Sequence, residues 1–70
     1  MGVSYKKLWK MLIDKDLMKT ELAKLASINP TTLAKLGKNE NVSMDALQRI
    51  CRTLECDIGD IVEYVPDEER

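Results

Sequence analysis

Histidine is absent from this sequence, and cysteine is nearly so, with Cys51 and Cys56 as the two thiols. Without an imidazole the usual general base is missing, and neither thiol has a local acid–base partner in the sequence, so the chain is not expected to be an enzyme. Two cysteines without histidine fall short of a four-ligand zinc site and are few for a disulfide scaffold. They are expected to be reduced, in or near the core as small apolar groups, with a redox-sensing pair as the sharper alternative. The three glycines, Gly2, Gly37 and Gly59, are scattered. They build no phosphate-cradling loop, and the carboxylates show no calcium- or magnesium-site spacing. No metal, cofactor or small-molecule ligand is implied. No apolar run approaches the ~18 residues of a membrane span, and the start MGVSYKK lacks the apolar stretch of a signal peptide. A cytoplasmic protein with no membrane partner is expected.

What is present is enough for a core. Hydrophobic residues make up 44% of the 70 and charged residues 33%, which argues against disorder and for one small domain. That domain is expected over residues 1–65, followed by a short acidic tail at 66–70. A chain this short has a thin stability margin, so a partner subunit, and hence a homodimer, is a natural expectation.

The net charge of −1 conceals a division. Residues 1–38 carry eight lysines against Asp14, Asp16 and Glu21, a net of +5. Residues 39–70 carry Arg49, Arg52 and Arg70 against nine acids, a net of −6. A basic half can face phosphate while an acidic half faces away, so the low overall pI does not exclude nucleic acid.

Apolar spacing predicts the elements. Tyr5, Leu8, Trp9 and Leu12 follow a helical repeat behind Ser4 as N-cap, giving a first helix over about 4–15. Leu22, Leu25 and Ala26 give a short second helix over about 19–26. Asn29-Pro30 is a strong helix start, because Asn caps free amides and Pro is tolerated where its missing N–H costs nothing. A third helix is predicted over about 30–37, with Leu33 and Leu36 inward and Gly37 and the following asparagines at its end. Ser43 caps a fourth helix over about 44–55, whose stripe is Leu47, Ile50, Cys51 and Leu54. One or two further helical turns are predicted over 58–62, with a strand at 61–65 as the weaker alternative. Trp9 reads as core rather than as a ligand platform, and the methionines as gap-fillers.

The second and third helices are joined by three residues, Ser27-Ile28-Asn29, with Ile28 suited to a buried slot and small Ala23 where the helices approach. Two short helices crossing steeply at such a turn make a helix-turn-helix, whose second helix can enter the DNA major groove. A plain helical hairpin without a DNA role has the same outline, and the basic half favours DNA.

Four linked segments carry a wider resemblance: Leu17-Met18-Lys19-Thr20-Glu21-Leu22-Ala23, Ser27-Ile28-Asn29-Pro30-Thr31-Thr32-Leu33, Asn41-Val42-Ser43-Met44-Asp45-Ala46-Leu47 and Leu54-Glu55-Cys56-Asp57-Ile58-Gly59-Asp60-Ile61. Over about residues 5–65 the chain resembles the phage-repressor (Cro, lambda-repressor and Xre-like) family of bacterial and phage regulators. The resemblance implies an all-α, compact five-helix lambda-repressor-like domain, with the helix-turn-helix at helices 2 and 3, that binds double-stranded DNA. It implies that Pro30, Thr31, Thr32 and Lys35 meet base edges, and that Lys19, Asn29, Lys38, Asn39 and Asn41 meet phosphates, which position without reading sequence. Lys6, Lys7 and Lys10 would add to the field.

Three features depart from the family pattern. Met18 and Lys19 stand where Ser and Gln are usual, removing a side-chain cap and replacing a polar phosphate clamp with a charge. Gly37-Lys38-Asn39 stands where Glu-x-Gly is frequent, predicting a looser end to the third helix. Base-reading Gln or Arg is replaced by Thr31 and a lysine, predicting modest sequence readout. Exposed lysines commonly just solvate a helix face, and threonines commonly start helices; the motif around them favours contact.

The function expected is a sequence-specific transcriptional regulator, a repressor that binds a near-palindromic operator as a homodimer through residues 30–37. Ile58, Ile61, Val62, Tyr64 and Val65 are the expected dimer surface. The alternative is a protein interaction module, antitoxin- or adaptor-like, on the same fold.

Overall fold

The computed structural model describes residues 2–66. In chain order the elements are β1 (Gly2–Ser4), α1 (Lys6–Asp14), α2 (Lys19–Ala26), α3 (Pro30–Gly37), α4 (Met44–Leu54), a 3-10 turn (Ile58–Asp60) and β2 (Glu63–Val65). The fold is mostly helical, with four α-helices where five helices were expected. The fifth is a single 3-10 turn, and the chain then runs into a strand. β1 and β2 pair antiparallel, Gly2 with Val65, Val3 with Tyr64 and Ser4 with Glu63. This two-stranded ribbon corrects the all-α expectation and joins the two ends of the described chain.

The core is where the helical repeats converge. Tyr5, Leu8, Leu22, Leu36, Ile50 and Ile61 are fully buried, so every α-helix or its leading residue contributes, and Ile61 closes the bottom of the stack from beyond the 3-10 turn. Burying a Leu or Ile side chain stabilises by about 1.5–3 kcal/mol, so these few residues dominate the fold's favourable energy. Ile28 is also buried, in the turn between α2 and α3, as its slot requires. Trp9 and Leu33 pack partly buried against the same cluster. Three expectations are corrected by geometry. Leu25 is 63% exposed because it falls on the outer side of α2. Met18 and Met44 are also exposed, each beside a helix start rather than over a core gap. The acidic residues 67–70 of the expected tail lie outside the described residues.

α1 starts one residue later than Ser4 as N-cap suggested. Ser4 sits in β1, its Oγ accepting from the Lys6 N–H at 3.3 Å, and Tyr5 is the N-cap residue. Helices α3 and α4 begin as their caps dictate: Asn29 Oδ1 accepts from the Thr32 N–H at 2.7 Å, and Ser43 Oγ from the Ala46 N–H at 3.1 Å. α2 lacks an N-cap oxygen at Met18. Glu21 supplies the other half of a capping box, its carboxylate accepting from the Met18 N–H at 2.8 Å.

All four helices end the same way, and in none is the left-handed closing residue a glycine. Asp16, Ser27, Asn39 and Glu55 each adopt the left-handed conformation, with φ between 55° and 60°. After α1, α2 and α3 the next residue donates back five positions, Leu17 to Leu12 (2.8 Å), Ile28 to Ala23 (2.8 Å) and Glu40 to Lys35 (2.9 Å). Cys56 does the same to Cys51 at 3.0 Å after α4. These are Schellman closures, which satisfy carbonyls the helix leaves open. Gly37 is the last residue of α3 rather than its terminator, and the residue that turns left-handed is Asn39. The end of α3 is therefore closed, contrary to the looser end expected from Gly37-Lys38-Asn39.

Candidate nucleic-acid interface

α3 presents two unlike sides. Leu33 and Leu36 turn inward, while Thr31, Ala34, Lys35 and Lys38 follow an i, i+3, i+4, i+7 repeat and are all exposed. Pro30 is exposed at the first turn, and Thr32 is half-buried to one side of the stripe. Ala34 stands in the middle of this stripe; the residue motif did not single it out, although the same repeat that places Thr31 and Lys35 includes it.

The side chains expected near phosphate are arranged around that stripe. Lys19 is the first residue of α2, and its Nζ lies 4.3 Å from the centroid of the Trp9 ring. Asn29 is exposed; its Oδ1 is taken by the cap, leaving its Nδ2 as the donor. Lys38 is the C-cap residue of α3, and Asn41 is exposed in the loop after it. Asn39 is engaged twice in the fold. Its backbone closes α3, and its Oδ1 accepts from the Tyr5 N–H at 3.1 Å, so only its Nδ2 faces other duties. Lys7 donates to the Gly59 carbonyl at 3.2 Å, which commits it to the 3-10 turn.

Two residues assigned no part in the interface from the sequence hold this assembly in place. Tyr5 is buried, and its hydroxyl donates to the Glu40 carbonyl at 2.7 Å while its N–H reaches Asn39. It therefore clamps the loop that ends α3 to the start of α1, and burial pushes its phenol pKa up. Arg49, on α4, donates to the Ser27 carbonyl at 3.0 Å and pairs with Asp45 at 3.0 Å. Ser27 opens the turn between α2 and α3, so Arg49 pins that turn from outside. The Asp45–Arg49 spacing on a helix was the available signal for the pair; its reach to Ser27 is a tertiary fact.

The expected dimer residues divide. Tyr64 and Val65 are exposed on β2, and Ile58 and Val62 are half-buried. Ile61 is 0% exposed in its own chain's core and drops out of any surface, because the turn at Ile58–Asp60 rotates it inward. Cys51 and Cys56 are free and half-buried. Burial is the main cause that raises both thiol pKa values, with the neighbouring Cys51 and then Asp60 and Asp57 pushing Cys56 further, to about 11, which keeps both thiols protonated near neutral pH and opposes a reactive thiolate. Among the described residues no group of three or more His, Cys, Asp or Glu is placed to hold a metal ion. No helix among them is long and apolar enough to cross a membrane.

Comparison with known proteins agrees with this geometry. The model of the Cro/C1-type HTH DNA-binding domain matches residues 7–67. The chain is 38% identical over 61 residues to the uncharacterized HTH-type transcriptional regulator YozG of Bacillus subtilis (strain 168), covering 84% of this chain and 73% of that protein. It superposes on the crystal structure of the transcriptional regulator VanUg (Form II) with a TM-score of 0.91 and 55% identity, over 94% of this chain and 88% of that one. A helix-turn-helix pinned by Arg49 and Tyr5, with a polar stripe on its second helix and family matches that span nearly all of it, makes this chain a member of the Cro/C1-type helix-turn-helix family of DNA-binding transcriptional regulators.

Proposed function

We propose that the chain is a sequence-specific repressor that sits on a near-palindromic operator as a homodimer, with α3 of each copy in the major groove. The observation that carries this reading is the exposed stripe Thr31, Ala34, Lys35 and Lys38 on the rigidly capped α3. Lys35 donates to guanine, the methyl groups of Thr31 and Ala34 meet thymine, and Pro30 and Thr32 complete the base-facing end. Lys19, Asn29, Lys38, Asn41 and the Nδ2 of Asn39 hold phosphates and set the register.

Two copies would set their recognition helices about 34 Å apart, one turn of duplex. Among the described residues β2 has β1 as its only strand neighbour, and Tyr64 and Val65 are exposed beside the other edge. An unpaired strand edge with apolar side chains is a natural self-association surface, and Ile58 and Val62 flank it. Ile61 supports this surface from within rather than forming it.

The test is a titration of fluorescent promoter fragments, including the one upstream of the gene itself, with wild type and Thr31→Ala/Lys35→Ala at several salt concentrations. Tight binding to one fragment, lost in the variant and falling steeply with salt, is the expected result. Weak and equal binding to every fragment, with a stable protein partner recovered instead, transfers the fold to the interaction-module reading.

A further inference from the structure

We infer that Trp9 is a positioning residue for DNA binding: its ring holds the Lys19 ammonium ready at the start of α2, where the phosphate backbone passes. This inference rests on the DNA-binding reading above and assigns a role that reading leaves open.

Trp9 lies on α1, half-buried against the core, and Lys19 opens α2 ten residues later. The Nζ stands 4.3 Å from the ring centroid, within cation–π range. A lysine has one of the most mobile side chains, and ordering it on binding weakens any phosphate contact it makes. The ring limits that freedom beforehand. It takes no hydrogen-bond donor in the ordinary sense, so N–H groups directed away from the ring remain for a phosphate oxygen. The neighbouring carboxylate, Glu21, is turned to the Met18 N–H at 2.8 Å, so among the described residues Lys19 has no ion pair that a phosphate must break. The same pairing accounts for an oddity of the sequence: a charged residue replaces a polar clamp at this position, and a tryptophan stands where it can restrain it.

The test is a double-mutant cycle on duplex-DNA affinity at low salt, with Trp9→Leu, Trp9→Phe, Lys19→Met and the Trp9→Leu/Lys19→Met pair, thermal melting being followed in parallel. Removing the ring is expected to weaken DNA binding about two- to fivefold when Lys19 is present, and to change nothing further when Lys19 is already Met. Lys19→Met should lower the slope of log affinity against log salt by about 0.9. Trp9→Phe keeps a ring and should retain most of the affinity, which guards the result if Trp9→Leu folds poorly. A purely structural Trp9 would shift the melting temperature and the affinity equally in both backgrounds, and that additivity overturns the inference. Wild-type affinity in Lys19→Met overturns it as well. If wild type shows no salt-dependent binding to duplex DNA, the DNA-binding reading itself fails and takes this inference with it; if wild type binds and the cycle is additive, only the pairing fails.

Discussion

Tyr5 connects three parts of the molecule: the hydrophobic core, the entry to α1 and the loop that ends the proposed recognition helix. Its ring is 1% exposed, and its hydroxyl reaches the Glu40 carbonyl at 2.7 Å. Tyr5→Phe keeps the ring and orphans that carbonyl, which should cost about 1 kcal/mol and lower the melting temperature by roughly 4–8 °C. The phenol also ties stability to alkaline pH. Its folded pKa lies above the ordinary 10.0, so its contribution is complete below that value and is lost as pH rises through the folded one. Cys56 acts in the same direction at lower pH: from 9.0 in an unfolded chain to about 11 when folded, its stabilisation is intact below pH 9 and declines toward 11. Urea unfolding at pH 8, 9.5 and 11 should show a steady fall for wild type and a shallower one for Cys51→Ala/Cys56→Ala. Equal slopes would remove the thiols from the account. Tyr5 and Arg49 share a property that explains why they were hard to assign beforehand. Each looked like an ordinary member of its helix, and what makes each matter is a partner far along the chain.

At the scale of elements, the four helix ends define the recognition unit, and they use Asp16, Ser27, Asn39 and Glu55 where glycine is the common choice. A non-glycine residue in this region carries steric strain, partly offset by the entropy that glycine would lose on folding. Glu55→Gly is therefore expected to stabilise by about 0.5–1 kcal/mol, read as a rise of a few degrees in melting temperature. Removing the α3 cap, by contrast, with Asn29→Ala should cost about 1 kcal/mol. Arg49→Ala should cost a similar amount while loosening the turn it pins, detectable as faster amide exchange at Ile28. The starts of α3 and α4 were readable residue by residue, since Asn29-Pro30 and Ser43 cap by local chemistry. So was Ile28, because a three-residue turn between two amphipathic helices leaves one apolar slot. The ends were less readable. Gly37 drew attention as the conformationally free residue, yet the Leu36 and Lys35 carbonyls are met by Asn39 and Glu40, so the chain turns two residues later. β1 was not readable at all, being three residues whose partner, β2, lies some sixty positions away. On α3, Thr31 and Lys35 were assigned through the family resemblance, whereas the loss of Asn39 Oδ1 to Tyr5 had no signal in the sequence.

Across the whole molecule, a basic half carries α2 and α3 and an acidic half carries α4, the 3-10 turn and β2. A phosphate backbone approaching α3 meets lysines, while the ribbon end repels it. This partition separates the two proposed tasks, DNA contact and self-association, and their variants should separate too. Ile61→Asp places a charge in the core and is expected to unfold the chain, so it reports nothing about oligomers. Tyr64→Glu/Val65→Glu keeps the core and should halve the sedimentation mass at micromolar concentration and weaken operator binding; an unchanged mass would remove the ribbon from the interface. The most direct measurement is an NMR titration of isotope-labelled protein with a short DNA duplex at low salt, following every backbone amide. Shifts concentrated at Lys19, Asn29 to Lys35 and Lys38 to Asn41, with Cys51 to Val62 left in place, are the result this account predicts. Shifts confined to the acidic half, or none at all, would contradict it.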